Sequence, residues 1–270
     1  MADLRIGVAG CAGRMGQTLL KQIAATPGCV IGGGTERPGH AAIGQDPAAL
    51  LGLKATGARV FDDPAALFDA CDAVIDFTAP EATVRHAALA AGRRKILIAG
   101  TTGLKPEQEQ ALRMAAVTAT IVYAANMSVG VNVLLQVTRQ VAALLGPDFD
   151  IEVLEMHHKH KVDAPSGTAL ALGRAAAAGR KVKLDEVAVR ARDGITGARK
   201  AGDIGFATLR GGSVVGDHTV MFASDSERIE LTHKAQDRSL FSSGAVRAAL
   251  WARGKPAGLY GMNDVLGFKD

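Results

Sequence analysis

Short apolar segments alternate with helix-forming segments along the first half of the chain, and this alternation constrains the fold more than any other feature. Each apolar segment has the length of a buried strand, and three of the segments between them begin at a proline, which favours the first turn of a helix. Strands that alternate with helices pair in parallel, with helices on both faces of the sheet. We therefore expect an α/β fold with a doubly wound parallel sheet, whose strands lie at 4–9, 29–35, 58–61, 72–78, 95–99 and 120–125, and whose helices include 14–25 and 80–91 and others that begin at Pro64 and Pro106.

Glycine occupies positions 10, 13 and 16 of the turn between the first strand and its helix. The pattern departs from the GxGxxG fingerprint of Rossmann-type domains, because Ala12 stands at the second glycine position. Small residues at 12 and 13 still allow the backbone to approach a pyrophosphate at the helix N-terminus, although a turn of this kind is often only a turn. The candidate cofactor loop consists of Gly10, Cys11, Ala12, Gly13, Arg14 and Met15.

The two residues after the second expected strand are charged, and their position is informative. In Rossmann-type domains an acidic residue about 20 positions past the glycine turn bonds the adenosine ribose, and Glu36 has this spacing. Arg37 follows it and would pair with a 2′-phosphate, so the two residues together suggest the use of both NADH and NADPH. A surface turn is the alternative, since Pro38 and Gly39 come next.

Three later strand-to-helix loops would lie at the same edge of the sheet as the glycine turn. They carry small residues with hydroxyl or amide groups, which suit contacts to a nicotinamide and its carboxamide, but ordinary turn chemistry accounts for each of them equally well. The first loop is 77–80, the second holds the candidate cofactor residues Gly100, Thr101 and Thr102, and the third holds Ala124, Ala125, Asn126 and Met127.

Beyond a long helix expected from Val129 to about 145, the pattern changes to strands without alternating long helices. Short glycine turns are expected at 211–212 and 216–217, and turns of this length join antiparallel strands. We therefore expect a second α+β domain with a mixed or antiparallel sheet, with strands at 151–156, 186–191, 204–209, 213–215, 218–223 and 228–233.

The stretch 155–168 carries three histidines and two lysines between an expected strand and an expected helix. A metal site is disfavoured, because the lysines would repel a cation and no HExxH or Cys/His spacing is present. A solvated basic loop is the stronger alternative. An anion site with acid/base groups also fits, since Ser166, Gly167 and Thr168 would begin the helix and present backbone N–H groups at its positive end.

The motif Glu-x-His-His-x-x-Lys-x-Asp-Ala-Pro-Ser-Gly-Thr-Ala at 155–169 resembles the signature of the dihydrodipicolinate reductase family. The resemblance extends over nearly the whole chain. It implies an oxidoreductase of lysine and diaminopimelate biosynthesis that reduces a small dicarboxylate cyclic imine, dihydrodipicolinate or its hydrated 4-hydroxy form, with NADPH or NADH. Hydride addition leaves an enamine that must be protonated. The resemblance implies His157 and Lys161 as proton donors, and His158, Ser166, Gly167 and Thr168 as substrate-binding residues.

The resemblance also implies how the chain is divided and assembled. The family's chain returns to its first domain at the end, and the second domain's sheet forms a homotetramer. We therefore expect a dinucleotide-binding domain of residues 1–128 and 239–270, and a substrate-binding and oligomerisation domain of residues 129–238.

Composition argues against several other classes of protein. The net charge of +4 is slight and the basic residues are scattered, which disfavours nucleic acid as a partner. No apolar run approaches the ~18 residues of a membrane span. The three cysteines form neither a CxxC pair nor a disulfide framework, and the first strand follows the N-terminus without a leader, so we expect a cytoplasmic protein.

Two other functions remain open on the residues alone. A dehydrogenase for another small acid or semialdehyde would use the same first domain, and only the His/Lys signature argues against it. A non-catalytic dinucleotide sensor would use the second domain to bind a partner. Acid/base residues beside an anion site argue against a sensor, because binding alone requires no proton donors.

Overall fold

The computed structural model describes residues 2–268. The chain divides into two compact units, one formed by the residues up to Val129 together with those from Ser239 onward, and the other by Gly130–Arg238. The expected first domain also includes Met1, Lys269 and Asp270, which lie outside the described residues.

Strands and helices are numbered in chain order. The strands are β1 (Leu4–Ala9), β2 (Cys29–Thr35), β3 (Val60–Phe61), β4 (Ala73–Asp76), β5 (Ile96–Ala99), β6 (Thr120–Tyr123), β7 (Asp150–His157), β8 (Ala188–Val189), β9 (Ile204–Arg210), β10 (Gly216–Ala223), β11 (Arg228–Ala235) and β12 (Gly258–Tyr260). The helices are α1 (Arg14–Ala25), α2 (Pro64–Ala70), α3 (Pro80–Arg93), α4 (Pro106–Ala115), α5 (Val129–Leu144), α6 (Gly167–Gly179), α7 (Leu184–Val187), α8 (Ser239–Ala252) and α9 (Met262–Leu266). Within residues 2–268, no helix combines the length and the apolar character that crossing a membrane requires.

A parallel sheet forms the centre of the first unit, with seven strands in the order β12-β6-β5-β4-β1-β2-β3 among the described residues. Chain order reverses between β4 and β1, which is where doubly wound sheets bind their ligands. Consecutive residues of a strand pack in two different hydrophobic cores, one on each face of the sheet. Ile75 packs in the core that contains residues of α1 and α8, whereas Val74 packs in the core that contains residues of α2, α3 and α4. Helices therefore cover both faces, and the predicted doubly wound parallel sheet is confirmed.

A mixed sheet forms the centre of the second unit, in the order β11-β10-β7-β9-β8. The central strand β7 is antiparallel to β10 and parallel to β9. Its residues alternate between buried and half-buried, and Ile151 and Val153 on the buried face pack in a core with residues of α5 and α6. The same face carries Glu155 and His157 further along the strand, which places two polar side chains at the end of a buried row. The predicted mixed sheet is confirmed.

Two details predicted for the second unit are wrong. Residues 186–191 do not form one strand, because Leu184 is buried and begins the short helix α7, which leaves only the two residues of β8 to pair with β9. Residues 213–215 are not a strand, and 216–217 are not a turn. The carbonyl of Val214 accepts a 2.8 Å hydrogen bond from the His158 amide, and β10 begins at Gly216, opposite Ala235 of β11.

Candidate active site

The glycine turn after β1 has the shape of a cradle for an anionic group. Gly10 adopts a left-handed conformation with φ of +67°. A Cβ atom at Gly16 would lie 2.2 Å from the Gly10 carbonyl oxygen, so this close approach of helix and turn requires glycine. Helix α1 follows Gly13, and no side chain within residues 2–268 caps its first N–H groups. An uncapped helix start at the end of a strand suits a phosphate, and the turn therefore fits the pyrophosphate of a dinucleotide.

Glu36 lies directly against this turn. Its Oε1 atom accepts a 2.8 Å hydrogen bond from the Ala12 amide, which fixes the carboxylate beside the loop at the end of β2. A carboxylate accepts several hydrogen bonds, so Glu36 can still receive the ribose hydroxyls. Arg37 is the next residue and is exposed. The Cys11 side chain is fully buried, and burial raises the pKa of its thiol to about 12, so the thiol is protonated near neutral pH.

The loop after β5 is shaped by contacts with its neighbours. A Cβ atom at Gly100 would lie 2.4 Å from the Phe77 ring, so the ring occupies the space beside this glycine. Thr101 is buried, and its Oγ1 atom accepts a 2.8 Å hydrogen bond from the Thr83 hydroxyl on α3. Thr102 is exposed and follows directly. Of the two candidate threonines in this loop, Thr101 is therefore held in place by a hydrogen bond, and Thr102 is accessible to solvent.

The loop after β6 is fixed at both of its ends. The Ala124 amide donates to the Ala99 carbonyl at 3.1 Å, and the Asn126 Oδ1 atom accepts from the Ser128 amide at 2.9 Å. The Met127 side chain is fully buried in the core, and Ala125 is exposed at the middle of the loop. Because the strands of this sheet are parallel, the carboxyl ends of β1, β2, β5 and β6 place all the candidate cofactor residues at one edge of the first unit.

In the second unit Glu155 is the centre of a buried polar network. Its side chain is 1% exposed and accepts two hydrogen bonds from Arg210, at 2.8 and 2.9 Å. It also accepts a 2.5 Å hydrogen bond from His157 Nδ1 and a 3.0 Å bond from the Ser166 amide. Burial alone would raise the pKa of Glu155, but the bonds from Arg210, His157 and Ser166 outweigh it, so its pKa lies below the ordinary value. Glu155 is therefore ionised near neutral pH.

The ionised carboxylate determines the tautomer of His157. An ionised carboxylate only accepts hydrogen bonds, so Nδ1 of His157 carries a proton and Nε2 is left as the position that binds and releases one. A Cβ atom at Gly216 would lie 2.9 Å from Nε2, so glycine at the start of β10 preserves the space beside this atom. The His157 side chain is 11% exposed. This arrangement suits a general acid that meets its partner in a pocket with little water.

Lys161 stands in the loop that follows β7. Its ammonium group pairs with Asp163 Oδ1 at 2.8 Å, and this contact holds the pKa of Asp163 below its ordinary value. Arg210 donates a 2.6 Å hydrogen bond to the Asp163 carbonyl, which connects the loop to the Glu155 network. Asp163, for which the sequence indicated no chemistry, therefore orients a candidate proton donor. His158 anchors the same loop through the bond from its amide to Val214.

Helix α6 begins beside this network. Ser166 is its N-cap, and its Oγ atom accepts from the Ala169 amide at 3.1 Å and bonds to His218 Nε2 at 3.2 Å. Burial, followed by the nearby His157, lowers the pKa of His218 to about 4, so this imidazole is neutral near pH 7. A Cβ atom at Gly167 would meet no atom of the described residues within 4 Å, which leaves open space at the first residue of the helix. The helix start therefore presents N–H groups to an accessible region, as a carboxylate site requires.

Sequence reasoning missed two members of this network. Arg210 of β9 bonds Glu155 from 55 positions away, and His218 of β10 bonds Ser166 from 52 positions away. Both strands lie next to β7 in the sheet. A charged residue at the end of an apolar strand was the available signal for Arg210, because Ile204–Leu209 was already an expected strand. Among the described residues, no three His, Cys, Asp or Glu side chains come together as metal ligands would.

Comparisons with known sequences agree along both units. Residues 4–127 match the family described as Dihydrodipicolinate reductase, N-terminus, and residues 130–266 match Dihydrodipicolinate reductase, C-terminus. The chain is 54% identical over 270 residues to a 4-hydroxy-tetrahydrodipicolinate reductase of Rhodopseudomonas palustris (strain BisB18), with all of both chains covered. It is 56% identical over 262 residues to that of Ruegeria pomeroyi (strain ATCC 700808 / DSM 15171 / DSS-3), with 97% of both chains covered.

Comparisons with solved structures support the fold. Dihydrodipicolinate reductase from Paenisporosarcina sp. TG-14, with dipicolinate bound, matches with a TM-score of 0.79 at 23% identity, over 97% of this chain and 99% of that one. GenD2 from gentamicin A biosynthesis, in complex with NAD, matches with a TM-score of 0.59 at 16% identity, over 95% and 88% of the two chains. Likeness at these identities shows the fold alone, whereas the sequence matches cover both units at high identity. The chain belongs to the dihydrodipicolinate reductase family.

Proposed function

We propose that this chain reduces 4-hydroxy-tetrahydrodipicolinate, or its dehydrated form dihydrodipicolinate, to tetrahydrodipicolinate with NADH or NADPH, as a step of lysine and diaminopimelate biosynthesis. The observation that carries the proposal is the buried Glu155 network, which orients His157 next to the start of α6. A proton donor beside an anion-binding helix start is what protonation of a reduced cyclic dicarboxylate requires.

The substrate's carboxylates would bind at the start of α6. Ser166 caps the helix, and Gly167 leaves space for a carboxylate to approach the backbone amides of Gly167 and Thr168. The Thr168 hydroxyl and the His158 imidazole would add further donors. Charge-assisted hydrogen bonds of this kind are roughly twice as strong as neutral ones, which suits a ligand with two negative charges.

His157 and Lys161 would supply the proton that completes the reduction. Glu155 holds Nδ1 of His157 protonated, so the proton delivered to the substrate leaves from Nε2. Lys161 carries a second labile proton. Its partner Asp163 is an exposed carboxylate, so the Lys161 ammonium group can leave Asp163 and pair with an incoming anion. Two donors in one short loop would serve one protonation event, and solvent would restore the lost proton.

The first unit would bind the dinucleotide. The residues Gly10 to Met15 fit a pyrophosphate, Glu36 fits the ribose hydroxyls, and Arg37 would pair with the 2′-phosphate that distinguishes NADPH from NADH. Gly100, Thr101, Thr102 and the segment from Ala124 to Met127 would surround the nicotinamide. When bound, the reduced nicotinamide supplies the hydride, and the chain's own contribution is to orient it and to exclude water.

The direct test is consumption of NADPH or NADH by the purified protein. The unstable substrate would be generated in the cuvette by a dihydrodipicolinate synthase from pyruvate and aspartate semialdehyde. We expect the absorbance of the reduced nicotinamide to fall only when both the synthase reaction and this protein are present. Oxidation of NADPH or NADH with aspartate semialdehyde alone would instead indicate a dehydrogenase of another class, one that reduces the aldehyde to an alcohol, and cofactor binding without any oxidation would indicate a sensor.

We further propose that the second unit's sheet assembles a homotetramer. The face of β7 opposite the helices carries Leu154 and Met156, and Leu209 of β9 is 48% exposed. An open sheet face with apolar side chains favours burial against a second copy. Light scattering should report about four times the 27.9 kDa chain mass. A monomer at micromolar concentration would contradict the proposal.

A further inference from the structure

A buried hydrogen-bonded pair, Asp76 and His86, lies behind the proposed cofactor loops of the first unit, and none of the roles described above uses it. Asp76 is the last residue of β4, and His86 lies in the middle of α3. We propose that Asp76 and His86 are positioning residues, which hold the loops after β4 and β5 in the shape that binds the dinucleotide. This inference rests on the proposed function, because it concerns the same cofactor site.

Asp76 connects three separate parts of the unit. Its carboxylate is fully buried, and Oδ1 accepts from both the amide and the hydroxyl of Thr78, at 2.8 and 2.6 Å. Oδ2 bonds to Nδ1 of His86 at 2.8 Å. The Asp76 carbonyl accepts from the Gly100 amide at 2.8 Å. One residue therefore fixes the turn after β4, joins it to α3 and joins it to the loop after β5.

The turn that Asp76 fixes lies against the glycine turn. A Cβ atom at Gly10 would lie 3.3 Å from the Thr78 methyl carbon, so a shift of Thr78 changes the wall beside the glycine turn. Phe77, in the same turn, fills the space beside Gly100. The position of Thr78 depends on the Asp76 carboxylate, because its amide and its hydroxyl are both bonded to that group. Phe77 lies between these two residues in the chain.

Helix α3 supports the two loops through a second contact. The Thr83 hydroxyl donates to Thr101 Oγ1 at 2.8 Å, and both side chains are buried. Thr83 and His86 are three positions apart, so they lie on the same side of the helix. This side of α3 therefore reaches the loop after β4 through His86 and the loop after β5 through Thr83.

The negative charge of Asp76 explains why a hydrogen-bond donor is needed at His86. Burial alone would raise the pKa of Asp76, but the bonds from His86 and Thr78 outweigh burial, so the pKa lies below its ordinary value. Asp76 is therefore ionised, and its Oδ2 atom accepts a hydrogen bond from the Nδ1–H group of His86. Without this donor the buried charge would lack one partner, and we expect the carboxylate to move toward water and to carry Thr78 with it.

The test compares two substitutions of His86 by their dissociation constants for NADPH and NADH. In His86→Asn the amide nitrogen replaces Nδ1 as the donor, and in His86→Leu no donor remains. We expect His86→Leu to raise both dissociation constants about tenfold or more, which is the effect of losing a hydrogen bond to a charged group. His86→Asn should remain within about threefold of the unaltered protein, since it keeps a hydrogen bond of this strength.

A matched control separates positioning from a general loss of stability. Leu112 is a fully buried residue of α4 in the same core, and Leu112→Ala destabilises that core without removing a hydrogen bond. Measured well below its unfolding temperature, Leu112→Ala should bind both cofactors normally. If His86→Leu cannot be obtained folded, Thr83→Val removes the other contact from α3 and should weaken binding about three- to tenfold.

The outcomes distinguish this inference from the proposed function. If the unaltered protein binds neither cofactor, the proposed function fails. If the unaltered protein binds them and His86→Leu or Thr83→Val binds them equally well, the positioning role is wrong. Equal losses in His86→Asn and His86→Leu would also overturn it, because they would show that the donor at Nδ1 is not what matters.

Discussion

The two units hold their proposed sites by different physical means. In the first unit the glycine turn is formed by backbone, and the absence of a Cβ atom at Gly16 permits the close approach of α1 to the turn. In the second unit the site depends on charged side chains, since Glu155, His157 and Arg210 are linked by short hydrogen bonds in a buried position. Cofactor binding should therefore respond mainly to changes of shape, and the proton-transfer site mainly to changes of charge.

This difference predicts that the two sites can be altered independently. All candidate dinucleotide residues belong to the first unit, and all candidate proton donors and carboxylate ligands belong to the second. Substitutions in one unit should therefore change one kinetic parameter and leave the other nearly unaffected. Substitutions at His157, Arg37 and Thr168 test this independence, and substitution of Arg210 tests how far the second site depends on charge. They are taken in decreasing order of the effect that we expect.

The strongest loss should come from removing a proton donor. His157→Gln keeps a hydrogen-bonding group but loses the titratable proton, and a positioned general acid contributes roughly 10² to 10⁴ in rate. We expect kcat to fall at least about a hundredfold, and Lys161→Met to behave similarly. The dissociation constant for NADPH, measured by fluorescence titration, should remain unchanged in both. A large loss of NADPH affinity in either variant would show that the two units do not act independently.

Arg210→Met should destabilise the second unit by removing both hydrogen bonds from a buried carboxylate. Breaking one side of a buried ion pair costs about 3 to 5 kcal/mol of unfolding free energy. Arg192→Met is the matched control, because Arg192 also bonds a glutamate twice but its side chain is 39% exposed. Pairs as exposed as this one contribute about 0 to 1 kcal/mol. If denaturant titration gave equal losses of unfolding free energy for Arg210→Met and Arg192→Met, this result would contradict the central role of Glu155.

The same substitution should change the response to acid. The pKa of Glu155 is lowered in the folded protein, so its stabilising contribution is present above the ordinary carboxyl pKa and is lost as pH falls through the folded value. In Arg210→Met the folded pKa of Glu155 should rise, so acid should remove less stability from the variant, and the difference in unfolding free energy between the two proteins should narrow as pH falls. Denaturant titration at a series of acidic pH values measures this difference.

Arg37→Ala should distinguish the two cofactors. A charge-assisted contact to a 2′-phosphate contributes about 1.5 to 3 kcal/mol, so the Michaelis constant for NADPH should rise about tenfold or more. The constant for NADH should change little, because NADH has no 2′-phosphate. Steady-state kinetics with each cofactor make the comparison, and an equal rise for both would mean that Arg37 does not bind this group.

Thr168→Val should have the mildest consequence of these substitutions. This change removes a hydroxyl but keeps the backbone amides and the dipole of α6, so the substrate loses a single hydrogen bond. We expect the Michaelis constant for the dicarboxylate substrate to rise about three- to tenfold, with kcat nearly unchanged. A fall in kcat comparable to that of His157→Gln would show that Thr168 acts in proton transfer.

The order of strands and helices in the first 128 residues could be predicted from sequence, whereas the edge strand β12 was not predicted. The predicted bounds of β1, α1 and β2 agree with the structure, because buried strands are apolar on both faces and the glycine turn marks the junction. The second unit was predicted less well. Val214 and Val215 have the residues of a strand, but the Val214 carbonyl bonds the His/Lys loop, a long-range contact that no local pattern reveals.

The candidate site shows the same limit. The residues of the 155–169 motif are adjacent in sequence, so their chemistry could be inferred before the structure was known. Arg210 and His218 come from other strands, and their side chains meet Glu155 and Ser166 only because β9 and β10 flank β7. The family resemblance indicated the candidate proton donors, but the sequence could not identify the residues that hold Glu155 and Ser166 in place beside them.

In the proposed reaction, a bound nicotinamide transfers a hydride to a substrate that the second unit protonates. The decisive experiment uses NADPH with deuterium at both C4 positions, in ordinary water, followed by mass spectrometry of the tetrahydrodipicolinate formed. The product should carry a single deuterium, and His157→Gln should give the same label at a much lower rate, since its defect lies in the proton and not in the hydride. A product without deuterium, formed while NADPH is consumed, would contradict this reaction.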